Sequence, residues 1–136
     1  MEYAAEIRAV GGRNGRVWNE AGTLSLSVIP PGSNRSGVTP EELLGAAWGA
    51  CFGGAFAFEA KELSGVSGSP EMRVEVVLEA LDGEYEIILA SLEVVPNEGD
   101  VIDEVVLAAQ RAHERCPVSK VFGQGVSQVG VHVQSR

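Results

Sequence analysis

The stretch Thr39-Pro40-Glu41-Glu42-Leu43-Leu44-Gly45-Ala46-Ala47-Trp48-Gly49-Ala50-Cys51-Phe52 decides how the rest of this chain is read. Thr39 is a good helix N-cap, Pro40 suits the first helical position, and Glu42, three residues beyond the cap, completes a capping box. The spacing predicts a helix running to about Leu63. Its stretch from Leu43 to Phe58 holds 16 residues without a charge, short of the roughly 20 needed to span a bilayer. Gly45, Gly49, Gly53 and Gly54 punctuate it. A buried central helix is therefore expected, with Trp48, Phe52, Phe56 and Phe58 in the core or at a subunit interface.

Outward from this helix the pattern changes period. Residues 3–10 alternate loosely and read as a strand, Gly11-Gly12-Arg13-Asn14-Gly15 as a turn with an Asn-Gly hairpin signal, and Arg16 to Trp18 as a short strand. Residues 23–29 alternate strictly between apolar and polar, the period of a half-buried strand. Pro30 to Val38 is a loop rich in Pro, Gly, Ser and Asn. After the helix, Gly65 to Pro70 is a loop, and residues 71–81 and 84–95 form two strands about Asp82-Gly83. A second helix is expected from about Asp100 to Arg115, with Val101, Val105, Ala108, Ala109 and Ala112 on its apolar side. Pro117 can start a further helical turn, and Val126 to Val133 alternates as a last strand. The order β-β-β-α-β-β-α-β indicates an α+β fold with a mainly antiparallel sheet and two main helices. Residues 1–136 read as a single domain, with no repeat or linker.

Composition narrows the function. A net charge of −9 argues against nucleic acid, whose phosphates need clustered Lys and Arg, and disfavours an anionic membrane surface. Met1-Glu2-Tyr3 leads into alternating residues without a basic start or apolar run, so a cytoplasmic location is expected. A hydrophobic content of 45% supports a modest core. In such a setting the chain's two cysteines, Cys51 and Cys116, are reactive or simply buried rather than a structural staple.

A cysteine attacks only as thiolate, and burial in the apolar helix alone would raise the pKa of Cys51 and silence it. A positive neighbour is required. Arg13 in its glycine-flanked turn is one candidate; its plain alternative is a solvated turn arginine. Glu41, ten residues before Cys51, stands about 15 Å from it along a straight helix. It could act only by orienting an arginine or by reaching a cysteine of another subunit; otherwise it is an ordinary first-turn acid favoured by the helix dipole. Cys116 precedes Pro117 at a helix start, where the dipole favours a thiolate; the alternative is a small buried hydrophobe. His113 and Cys116 have a metal-compatible spacing, but the chain offers only Cys51 and His132 as further soft ligands, fewer than a structural zinc site usually assembles. No metal is expected. Cys-x-x-Cys, Gly-x-Ser-x-Gly, P-loop and dinucleotide fingerprints are absent.

Three segments taken together, Gly11-Gly12-Arg13-Asn14-Gly15-Arg16, Thr39-Pro40-Glu41-Glu42-Leu43 through Ala50-Cys51-Phe52, and Cys116-Pro117-Val118-Ser119, resemble the OsmC/Ohr family of osmotically inducible and organic hydroperoxide resistance proteins. The glycine-arginine turn resembles the Ohr branch and Cys116 to Lys120 the OsmC branch. The asparagine usual between the positions of Thr39 and Pro40 is missing. The resemblance implies an intertwined homodimer, with active sites at the subunit interface, that reduces organic hydroperoxides. It implies Cys51 as the peroxidatic thiol, Cys116 as the resolving thiol, Arg13 as the arginine that stabilises the thiolate and Glu41 as the carboxylate that holds it. It also implies a disulfide between Cys51 and Cys116, recycled by an external dithiol such as a lipoyl group on a partner protein, without a resident cofactor. Two further readings stay open: a family-shaped dimer that binds a small apolar ligand without catalysis, and a redox sensor without turnover.

Overall fold

The computed structural model describes residues 1–67 and 69–135. The chain packs into two compact units, Met1–Leu43 and Leu44–Arg136.

The first unit is built on a small antiparallel sheet of β1 (Arg8–Val10), β2 (Arg16–Trp18) and β3 (Ser25–Ser27), in that order. Only the last three residues of the expected 3–10 strand pair: Arg8, Ala9 and Val10 lie opposite Trp18, Val17 and Arg16. All three β1 side chains are exposed, so among the described residues nothing buries the apolar members of the alternation and no pairing extends it. The β1–β2 hairpin forms, but not through an Asn-Gly pair in the left-handed region. Gly11 (φ 82°) and Gly12 (φ 58°) take the positive φ values, and Gly12–Asn14 is a single 3₁₀ turn. The 23–29 strand shortens to β3, and Val28 makes an isolated bridge to Val38.

The helix α1 (Pro40–Ala60) begins as its sequence requires. Thr39 Oγ1 accepts from the Glu42 N–H at 3.1 Å, and Glu42 Oε1 accepts from the Thr39 N–H at 3.0 Å. These reciprocal bonds satisfy amides that the first helical turn leaves unpaired. The boundary between the two units falls inside this helix. By length and composition alone α1 is apolar enough to cross a membrane, and only 22% of its most apolar window is buried, so the expected buried central helix is buried along one row rather than all round. Its buried side chains are large: Trp48, Phe52 and Phe56 recur every fourth residue and are at most 1% exposed. Phe58 leaves this row and is 54% exposed, with the Arg115 guanidinium 4.2 Å above its ring.

In the second unit, β4 (Glu71–Leu81), β5 (Glu84–Val95) and β6 (Gln128–Val133) form a sheet in that order. The β4 and β5 boundaries are those read from the sequence. Asp82 (φ 53°) and Gly83 (φ 79°) make the tight turn between them, both in the left-handed region as a two-residue hairpin of this hand needs. A register shift after Val77 marks a bulge. The β6 strand runs parallel to β5, which departs from a purely antiparallel sheet: a parallel neighbour needs a long crossover, here supplied by α2 (Ile102–Arg115) and α3 (Pro117–Gly125). The single turn expected after Pro117 is thus a nine-residue helix. Val101 caps α2 from outside and is 47% exposed, whereas Val105, Ala108, Ala109 and Ala112 are buried as expected. The core joins Trp48, Phe52 and Phe56 to Ala90, Leu92 and Val94 of β5, the α2 alanines, Cys116 and Phe122. Gly45 and Gly49 face β4, where an added Cβ would meet Val74 at 3.6 and 3.4 Å, ordinary van der Waals contact. Within the 65–70 loop, Gly68 lies outside the described residues. Asp100, 5% exposed, accepts from Ser67 and Asn97 and so links the two segments.

Candidate functional site

Cys51 and Cys116 stand with their sulfurs 3.3 Å apart, both as free thiols. Each is placed by a different rule. Cys51 sits on α1 between buried Trp48 and Phe52 and is partly exposed. Cys116 is fully buried at the junction of two helices: its N–H closes α2 on Ala112 O at 2.8 Å, and its side chain caps α3. A helix start leaves its first amides without intrahelical acceptors, and α3 directs two of them at sulfur. The Ser119 N–H approaches Cys116 Sγ at 3.5 Å, and a backbone hydrogen bond from Val118 reaches Cys51. Pro117, which has no N–H, fills the first position where none is needed.

These groups leave Cys51 less acidic than an ordinary thiol. Burial raises its pKa most; the Val118 bond lowers it, and the neighbouring Cys116 thiol raises it again. Within its own unit Cys51 is therefore a protonated thiol at neutral pH, although aimed at a partner sulfur.

Arg13 and Glu41 are brought together in the first unit. Arg13 Nη1 and Nη2 donate to the two carboxylate oxygens of Glu41 at 3.2 and 2.9 Å, a paired fork geometry. The hydrogen bonds from Arg13 hold the Glu41 carboxyl below its usual range, against the opposing effect of burial. The turn carrying Arg13 is braced on several sides. Asn14 N bonds Gly11 O at 3.2 Å, Gly15 O accepts from Val28 N at 2.9 Å, and Asn14 Oδ1 accepts from Arg35 at 2.7 Å. Glu41 is thus a buried acid that positions a guanidinium, beyond a mere first-turn charge.

Sequence reasoning placed Trp48 in the core and quoted Ser119 in the Cys116 motif but missed the contacts these and neighbouring residues make beside the cysteines. Trp48 Nε1–H donates to Ser119 Oγ at 2.8 Å, a fully buried bond between residues 71 positions apart. The Trp48 ring also meets Phe122 edge-on at 5.0 Å. The indole signalled core by its period, and nothing local to Ser119 announced a partner on α1. Arg115, the residue before Cys116, bonds Glu59 of α1 at 2.7 Å. Among the described residues no three His, Cys, Asp or Glu side chains gather as a metal site, and His113 Nδ1 is buried without a hydrogen-bond partner.

An α+β scaffold presenting two facing thiols at a helix N-terminus defines a dithiol protein. The chain belongs to the OsmC/Ohr family: the OsmC-like protein family matches residues 32–129. It is 32% identical over 123 residues to the organic hydroperoxide resistance protein OhrB of Bacillus subtilis, covering 87% of this chain and 88% of that protein. It is also 32% identical over 136 residues to an organic hydroperoxide resistance protein-like protein of Staphylococcus aureus, covering 98% of this chain and 96% of that one. Among solved structures, an organic hydroperoxide resistance protein from Legionella pneumophila superposes with a TM-score of 0.84 at 28% identity, covering 98% of both chains. The crystal structure of B. subtilis OhrB gives 0.80 at 29% identity, over 97% of this chain and 98% of that one.

Proposed function

We propose that this protein is a cysteine-based peroxidase that reduces organic hydroperoxides to alcohols. The observation that carries the reading is the 3.3 Å contact between Cys51 and Cys116 sulfurs 65 residues apart. The names of its relatives support a role in organic hydroperoxide resistance. In the proposed cycle the Cys51 thiolate attacks the distal peroxide oxygen. The O–O bond breaks, the alkoxide takes a proton and leaves as alcohol, and Cys51 becomes a sulfenic acid. The Cys116 sulfur then displaces hydroxide, which leaves as water, and a disulfide forms. An external dithiol, in our reading a lipoyl group on a partner protein, takes over the disulfide by two thiol exchanges and restores both thiols. The cycle runs on sulfur with no resident cofactor. The apolar stretch of α1 that carries Cys51 is taken to favour a substrate with an organic tail.

The raised pKa of Cys51 makes a cation necessary for the first step, and Arg13, already oriented by Glu41, is assigned that role across an intertwined homodimer. The protein is assigned to the cytoplasm, where a thiol pair is kept cycling by cellular reductants. The test is consumption of cumene hydroperoxide by wild type, Cys51→Ser and Cys116→Ser with dihydrolipoamide as reductant. Cys51→Ser should lose all turnover. Cys116→Ser should complete one turnover, accumulate a sulfenic acid trappable by dimedone, and stall. Full activity of Cys51→Ser refutes the proposal.

A further inference from the structure

The two sulfurs face each other across a helix–helix contact, and a buried polar tie spans that contact. Trp48 lies three residues before Cys51 on α1, and Ser119 lies three residues after Cys116 on α3. Their side chains share the 2.8 Å bond from Nε1–H to Oγ. Trp48 is fully buried, Ser119 is 3% exposed, and Cys116 is fully buried. Ser119 therefore carries two functions: its N–H approaches Cys116 Sγ, and its hydroxyl oxygen receives the indole of the helix that bears Cys51. A buried indole N–H left without an acceptor carries a desolvation penalty of about 1–3 kcal/mol, so this pairing sets the register of α3 against α1.

We infer that Trp48 and Ser119 are positioning residues that set the redox poise of the Cys51–Cys116 pair by holding the two sulfurs in bonding register. This rests on the dithiol reading of the site, and it concerns its equilibrium rather than its substrate. When an external dithiol attacks the exposed sulfur, Cys51 Sγ, the S–S bond breaks and its electron pair goes to Cys116. The resulting thiolate is received by the Ser119 N–H and then protonated. The second thiol of the reductant displaces Cys51, leaving two protein thiols and an oxidised dithiol. In the reverse direction, disulfide formation depends on how often the two protein sulfurs meet. Loosening the tie lowers their effective concentration and makes the disulfide easier to reduce.

The experiment equilibrates the full-length protein with mixtures of reduced and oxidised dithiothreitol and counts free thiols by alkylation and mass. Ser119→Ala, which removes the acceptor, and Trp48→Phe, which removes the N–H together with the five-membered ring of the indole, should each make the disulfide on the order of tenfold easier to reduce. For a two-electron couple that is a rise of about 30 mV in midpoint potential. Because both remove the same bond, the double variant should shift no further than either single one, and Ser119→Thr, which keeps the hydroxyl, should restore the wild-type value. Variants that only lower the thermal midpoint while the potential stays within twofold of wild type overturn the inference, as do additive shifts. A wild-type pair that forms a disulfide but consumes no hydroperoxide refutes the peroxidase reading and leaves this inference standing. A pair that forms no disulfide in any mixture overturns both.

Discussion

Gly15→Ala tests whether the Arg13 turn is as tightly determined as its geometry implies. Gly15 has φ −111° and ψ −135°, so its backbone region is not the main obstacle; space is. A Cβ at this position would fall inside the van der Waals surface of the Val10 carbonyl oxygen, 2.6 Å from the Val10 carbonyl carbon and 2.7 Å from Gly11 Cα. All three neighbours are backbone, so no side chain can swing aside. Ordinary carbon contacts lie near 3.5–4.0 Å, so the two strands flanking the turn must part by about 1 Å where Val10 pairs with Arg16. Overpacking of this kind costs about 3 kcal/mol. Gly12→Ala is the internal control: φ is 58° but nothing lies within 4 Å of the new Cβ, and the left-handed strain alone is about 1 kcal/mol. The thermal unfolding midpoint should therefore fall by about 9 °C for Gly15→Ala and about 3 °C for Gly12→Ala, taking about 3 °C per kcal/mol for a chain of this size. Hydrogen exchange should place the loss in the first unit, at Arg8–Ser27. Equal effects of the two substitutions would show that crowding against Val10 does not constrain the turn.

Glu41→Gln should flatten the acid limb of stability. Because the folded carboxyl is held below its ordinary value, its contribution is present above pH about 4.5 and is lost as pH falls through the folded value; urea midpoints at pH 3 and 6 should therefore converge in the variant, and an unchanged slope refutes the ion pair's role. For Cys51 the shift is upward, with burial as its main cause. Rates of iodoacetamide alkylation in an Arg13→Ala, Cys116→Ser variant should accordingly rise only at alkaline pH, above the ordinary thiol range, whereas Cys116→Ser alone should reach its plateau lower; coincident profiles would remove Arg13 from the chemistry.

Much of the fold was legible because its signals are local. Thr39 and Glu42 cap α1 through bonds only three residues apart, and Asp82-Gly83 turns the β4–β5 hairpin through its own φ values. What escaped reading is non-local. The direction of β6 depends on a crossover and not on the alternation of Gln128–Val133, and the length of β1 depends on what stands beside it. The Arg13–Glu41 and Cys51–Cys116 contacts, at separations of 28 and 65 residues, were reached from the sequence only through resemblance. Spacing alone left both pairs open. The Trp48–Ser119 bond had no such help: a tryptophan at core period and a serine after a helix start are each ordinary, and only the packing of α1 on α3 joins them.

The crossover between β5 and β6 also has a consequence for the order in which the molecule is made. Cys51 is translated early, but the helix junction that brings Cys116 to it emerges 65 residues later. At about 5–20 residues per second, Cys51 leaves the ribosome tunnel roughly 3–13 s ahead of its partner. During that interval any oxidised Cys51 has no second sulfur within the chain to close onto, so a sulfenic acid formed then waits for Cys116 or an external thiol.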